Sequence, residues 1–163
     1  MNTYPEKVKL SPNRGGTIKP KYIILHHSSG SHDGTLDWIS QRRSRVSYHY
    51  LIDSDGSRTQ MVWDSKRAWH AGKSRWGSDR NLNGLSVGIS FWGDTYERKP
   101  GFGEIESCSE KCIYLMEKFN IPIENILTHQ EVAPDRKNDC SPITKERVIE
   151  SVKARLIILE ARK

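Results

Sequence analysis

Tyr22-Ile23-Ile24-Leu25-His26-His27-Ser28-Ser29 is the stretch on which the fold turns. A short, unbroken apolar run, rich in β-formers and ending in polar groups, reads as a buried central strand whose end opens into a site. Side chains alternate along a strand, so His26 and His27 point to opposite faces. At most one of them therefore reaches a given metal. Two histidines at a surface strand end would look the same in sequence.

Working outward, residues 1–20 are polar and carry Pro5, Pro12, Gly15, Gly16 and Pro20, and they read as an extended arm or loop. After the strand, Thr35 to about Arg43 reads as a helix that starts near Asp33 or Thr35, with Leu36 and Ile39 on one face. Val46–Asp53 and Arg58–Trp63 read as strands joined at Ser54-Asp55-Gly56, the Asp-Gly pair being a hairpin signal. Alternation puts Tyr48 and Tyr50 on one face and His49 on the other. The segment R-A-W-H-A-G (67–72) leads into a Gly/Asn/Ser-rich loop of about a dozen residues, a length common in binding loops. Its Trp76, with Trp69 just before it, could stack on a sugar or peptide or could simply pack. Leu85–Trp92 is a third strand, Glu104–Phe119 an amphipathic helix and Ile123–Leu127 a short strand. A last helix opens at Thr144 with Val148, Val152, Leu156 and Leu159 as its stripe. This order predicts an α/β fold: a central mixed β-sheet flanked by helices, in one domain over 21–163, with a site at the strand ends.

With 163 residues the chain is long enough for one domain with a proper core. No apolar run approaches the roughly 20 residues that span a bilayer, so no stable membrane association is expected. The N-terminal residues lack the apolar core of a leader, which implies synthesis in the cytoplasm. Three cysteines cannot build a disulfide framework. Cys108 and Cys112, four apart, read as small packing residues on one helix face. The net charge of +6 favours a polyanionic partner, nucleic acid or an anionic cell wall, and the basic residues are too scattered to choose between them.

Thr128 to Pro142, T-H-Q-E-V-A-P-D-R-K-N-D-C-S-P, places His129, Lys137, Asp139 and Cys140 in one irregular segment that Pro134 and Pro142 break. His, Asp and Cys are all zinc ligands. A surface loop with the same residues would read alike unless other segments supply further ligands.

They do. L-H-H-S-S (25–29), V-S-Y-H-Y-L-I-D-S-D-G (46–56), R-A-W-H-A-G (67–72), S-V-G-I-S (86–90) and H-Q-E-V-A-P-D-R-K-N-D (129–139) occur in that order. Together they resemble the zinc-dependent N-acetylmuramoyl-L-alanine amidases of the type 2 family, which includes phage lysozymes, muropeptide-recycling amidases and peptidoglycan recognition proteins. The resemblance implies one Zn²⁺ per chain, held by His26, His129 and a third ligand two residues after a Lys. Lys137-Asn138-Asp139 makes that Asp139, with Cys140 the competing choice. It further implies that Tyr48 and Lys137 assist hydrolysis and that His70 lies near the substrate; Trp76 is the substrate-contact candidate from the loop reading alone. A catalytic zinc of this kind keeps its fourth position open. Where recycling amidases carry a Glu, this chain has Ser90, which brings it closer to the phage lysozymes, whereas Asp139 as ligand is a recycling feature. The expected partner is peptidoglycan, with no nucleic acid, and the expected assembly a monomer. The expected role is a phage endolysin that reaches the wall once the membrane is permeabilised. The rivals are a recycling amidase on soluble muropeptides, a non-catalytic wall-binding module, and a regulator acting through the N-terminal arm.

Overall fold

Tyr22–His27 forms β3, and all six of its residues are buried. It sits between β9 (Ser86–Phe91) and β10 (Ile126–Thr128), parallel to both. Burial on both faces explains why these strands read as continuous apolar runs. The computed structural model describes residues 3–162. Among the described residues the central sheet has six strands, in the order β1 (Glu6–Val8), β5 (Arg58–Gln60), β4 (Tyr50–Ile52), β9, β3 and β10. β4 (Tyr50–Ile52) runs parallel to β9, while β5 (Arg58–Gln60) returns antiparallel to β4 through the Asp-Gly turn. The sheet is therefore mixed, with helices on its faces, as expected.

The long helices α2 (Phe102–Phe119) and α4 (Pro142–Glu160) cover one face. There Ile23, Leu25, Tyr50, Ile52 and Ile89 pack with Cys108, Cys112, Leu115, Val148 and Val152. Cys108 and Cys112 are buried packing residues with free thiols. The other face carries α1 (His32–Ile39), whose Leu36 and Ile39 pack on Leu51 and Met61. No helix among the described residues is long and apolar enough to cross a membrane.

Several boundaries differ from the sequence expectation. The N-terminal segment is extended, but its pairing ties it to the rest of the fold. Glu6–Val8 (β1) is the edge strand of the central sheet, parallel to β5, and Arg14–Thr17 (β2) pairs with β6 (Lys66–Ala68). Residues 1 and 2 of the expected arm and residue 163 of the expected domain lie outside the described residues. Helix α1 starts at His32 because the Ser31 side chain caps it, accepting from the Gly34 amide. The strand expected from Val46 begins only at Tyr50. Before it, Ser47 ties the chain to Asn13 and Trp69, and the backbone bends at His49. Tyr48 and Tyr50 consequently do not share a face: Tyr48 packs beside Leu36 and Leu51, and Tyr50 lies under α2. Ile123–Asn125 is a 3-10 turn ahead of β10. Pro142 opens α4 behind a Ser141 cap, since a first-turn proline has no amide to leave unpaired. At the far end of that helix Leu159 is exposed, so its buried stripe is shorter than expected.

Candidate active site

β3 and β10 end side by side, and each delivers one histidine. His26 is the fifth residue of β3 and projects from the face that carries Ile24. His129 opens the short helix α3 (His129–Val132). Thr128 caps that helix, and Glu131 returns the bond to the Thr128 amide at 2.7 Å. The Glu of the H-Q-E motif is thus a capping group, further held by Lys145 at 2.7 Å. The loop after α3 brings in Asp139, whose carboxylate lies 3.0 Å from His26 Nδ1 and 3.2 Å from His129 Nδ1. All three residues are buried, and their donor atoms lie within 4.8 Å of one another.

The hydrogen-bond chain around His26 fixes which ring nitrogen carries its proton. Ser86 Oγ lies 2.6 Å from the Leu82 carbonyl, which can only accept, so the hydroxyl hydrogen is spent there. Ser86 therefore accepts from His70 Nε2 at 3.3 Å. His70 Nδ1 is left bare and accepts from His26 Nε2 at 2.9 Å. Both rings are neutral: burial pushes His26 down to about 4 against the Asp139 hydrogen bond, and burial with neighbouring histidines pushes His70 well below its ordinary value. His26 Nδ1 is then a bare lone pair facing a carboxylate. His129 is oriented from its other side: its Nε2 donates to the Ala71 carbonyl at 3.2 Å, which turns Nδ1 toward Asp139. Two imidazole nitrogens and a carboxylate thus converge on one point, a donor set that could hold a metal ion. The edge of a tetrahedron around zinc with bonds of roughly 2.0–2.1 Å is about 3.3 Å. The donor set and these separations fit such an ion.

The remaining expected residues are placed as follows. Asp139 faces the cluster, while its neighbour Cys140 is fully buried in the apolar core with Val148 and Val152, and burial there pushes its thiol pKa up. His27 points away from the cluster to Thr95, 3.0 Å from its hydroxyl. Tyr48 stands beside His26, with ring centroids 5.1 Å apart. Burial, helped by the charge of Asp139, pushes the Tyr48 phenol up, so it stays a protonated donor. Lys137 and Tyr48 both line a cleft of about 670 Å³ above the cluster. The Lys137 charge is felt at His26, where it adds to the downward shift. His70 also touches this cleft but is buried and bonded to His26. Trp76 sits on a separate two-stranded hairpin (β7 Arg75–Trp76, β8 Asp79–Arg80), outside the cleft lining. The aromatic walls are instead Trp38 and Trp69.

Sequence reading missed the residues that hold this arrangement. Asn83 Oδ1 accepts from the amides of His70 and Ala71 at 2.9 and 2.7 Å. Arg136 Nη2 donates to the Ala71 carbonyl at 2.9 Å, the same oxygen that orients His129. Gly88 makes room: a Cβ there would lie 2.6 Å from His70 Nδ1. A glycine inside an apolar strand was the one visible trace of that close approach.

Two imidazoles and a carboxylate converging at parallel strand ends, under a cleft with a phenol and an ammonium, have the architecture of a mononuclear metallohydrolase. A family model described as N-acetylmuramoyl-L-alanine amidase matches residues 16–142, and the chain belongs to that family. It is 35% identical over 143 residues to the 1,6-anhydro-N-acetylmuramyl-L-alanine amidase AmpD of Salmonella typhimurium, an alignment covering 76% of this chain and 75% of that protein. To the N-acetylmuramoyl-L-alanine amidase AmiD of Escherichia coli it is 27% identical over 138 residues, covering 76% of this chain but only 49% of AmiD. This chain thus spans about half the length of that relative. A solved mutant endolysin from Bacillus subtilis superimposes with a TM-score of 0.72 at 20% identity, covering 92% of this chain and 99% of that one, a likeness of fold.

Proposed function

We propose that this chain hydrolyses the amide between N-acetylmuramic acid and L-alanine in peptidoglycan, with one zinc held by His26, His129 and Asp139. The observation that carries the reading is the convergence of two imidazoles and a carboxylate, all buried, at the strand ends, with ligand atoms within 4.8 Å of one another. When bound, zinc would polarise the amide and activate water at neutral pH. Tyr48 keeps its proton, so it can donate to the oxygen that becomes negative as the carbonyl is attacked. Lys137 adds positive charge on the same side of the cleft. His70 acts on the metal through His26 and is a positioning residue: it fixes the tautomer that leaves Nδ1 bare. Ser86 in turn fixes the tautomer of His70.

The role we favour is lysis of an intact wall, supported by the net charge of +6, which suits adsorption to an anionic polymer. The similarity to a 1,6-anhydro amidase over most of its length supports a second reading, action on soluble anhydro-muropeptides. The test measures free N-terminal alanine released from sacculi and from soluble muropeptides by zinc-loaded protein, alongside Asp139→Ala and Cys140→Ser. Zinc binding and release should both be lost in Asp139→Ala and kept in Cys140→Ser. No release from either substrate by the zinc-loaded wild type would overturn the proposal. Release from soluble fragments alone would move it to the second reading.

A further inference from the structure

A second cavity, of about 430 Å³, opens beneath α2. Its floor includes Tyr50, which belongs to the core on the α2 face, whereas His26 projects from the other face of the sheet. The cavity therefore lies across the sheet from the metal cluster. Trp63 and Tyr114, 44% and 41% exposed, stand at its rim, with the Lys111 and Lys118 ammoniums over the Tyr114 ring.

The floor is polar and charge-balanced. Asp64 accepts from the Tyr50 hydroxyl and from Lys118 at 2.8 Å. Gln60 Nε2 donates to the Tyr50 oxygen at 2.9 Å. Lys111 pairs with Glu6 at 2.8 Å and lies over the Tyr50 and Tyr114 rings. Glu6 also takes Arg58 at 2.8 Å, and Arg58 pairs with Glu110 at 3.0 Å, so three carboxylates meet three cations and the cavity offers an ionic ligand no uncompensated charge. Carboxylate oxygens have more lone pairs than these bonds use, and each ammonium carries three hydrogens, so hydroxyl and acetamido groups can still be bound. Trp63 offers a large, flat, partly exposed apolar face at the rim, against which the C–H side of a pyranose can pack, while Tyr114 holds the Lys111 and Lys118 ammoniums at the cavity.

We infer that this cavity is a carbohydrate site for a neutral amino-sugar chain, separate from the catalytic cleft. It would hold the enzyme on the glycan while the other face of the sheet works on the peptide linkage. The inference rests on the peptidoglycan reading above and deepens it.

The probe is the β-1,4-linked N-acetylglucosamine tetramer, titrated into the full chain with the five tryptophan indole N–H signals followed by NMR. The Trp63 signal should shift with saturation. Trp63→Ala and Tyr114→Ala should each weaken tetramer binding, and co-sedimentation with insoluble peptidoglycan, by roughly fivefold or more. Alanine release from a soluble muropeptide should stay within about twofold of wild type, because neither residue lines the catalytic cleft. A tetramer that moves only the cleft tryptophans Trp38 and Trp69, or moves none, would sink the inference. So would variants that sediment like wild type. Failure of the wild type to cleave the soluble muropeptide would instead strike the catalytic reading and leave the NMR result to stand on its own.

Discussion

His70→Ala should weaken zinc binding without unfolding the protein. Among the described residues, the imidazole of His70 is the one acceptor given to His26 Nε2, at 2.9 Å, and both rings are buried. Removing it leaves a buried N–H unpaired, which costs about 1–3 kcal/mol. His26 escapes that cost by carrying its proton on Nδ1, where Asp139 accepts at 3.0 Å. The proton then points into the space the metal needs. Loss of a partner that orients a metal ligand typically costs about 10–100-fold in affinity, or roughly 1.4–2.7 kcal/mol. At a zinc concentration of about 100 times the wild-type Kd, stabilisation by the metal would fall from about 2.7 kcal/mol to between about 1.4 and 0.4 kcal/mol. His70→Asn is the decisive companion, because its side-chain oxygen can take the place of Nδ1 and still accept from His26. Competition with a chromophoric chelator gives the affinities, and denaturation with and without zinc gives the stabilities. Circular dichroism checks the metal-free fold. The reasoning is refuted if folded His70→Ala binds zinc within about threefold of wild type, or if His70→Asn falls as far as His70→Ala.

Three further outcomes follow from the same geometry. Tyr48→Phe should lower kcat by about 10²–10³ if the phenol donates to the developing oxyanion, with zinc content unchanged by metal analysis. Gly88→Ala should destabilise the protein by about 1–3 kcal/mol in urea titration and weaken zinc binding as well, since the new methyl would meet His70 Nδ1 at 2.6 Å. A variant as stable as wild type would show that His70 has slack to move. Metal-free stability should fall on acidification: burial holds His49 down at about 4, below its ordinary 6.5, with the Lys66 backbone bond opposing. A depressed histidine keeps its contribution above about pH 6.5 and loses it as the unfolded chain takes up the proton first, at roughly 1.4 kcal/mol per pH unit down to the folded value. Urea midpoints that stay flat between pH 6.5 and 5 would contradict this.

What the sequence shows and what it hides divide along a physical line. Tyr22–Leu25 announces a buried strand because burial on both faces demands an apolar run, and His26 and His129 are visible because polar groups end such runs. Five motifs in order were enough to name the two imidazoles and to prefer Asp139 over Cys140, and the packing shows why those neighbours differ: one faces the cluster and the other the core. Boundaries were less legible. Ser31 capping α1, and Ser47 bending the chain ahead of β4, act through hydrogen bonds to partners that periodicity does not register. The cleft aromatics were hidden for a related reason. Trp38 lies on a helix, and only the docking of that helix decides that Trp38, rather than Trp76 in the long loop, faces the site.

The proton on His26 is least legible of all, since it is decided by residues far along the chain. His70 is 44 positions away and Ser86 a further 16, and Asn83 holds the loop that carries His70. Each is an ordinary polar residue whose meaning comes from direction: a carbonyl that can only accept forces Ser86 to donate, and the choice passes through two rings to the metal position. The sequence keeps one mark of this relay, the glycine in S-V-G-I-S. A strand buried on both faces gains from a β-branched residue at every position, and here it has a glycine at 88 instead. The side chain missing from that strand is the space that the His70 ring fills. A glycine in such a strand, opposite a histidine-bearing loop, can therefore be read as the seat of a buried imidazole.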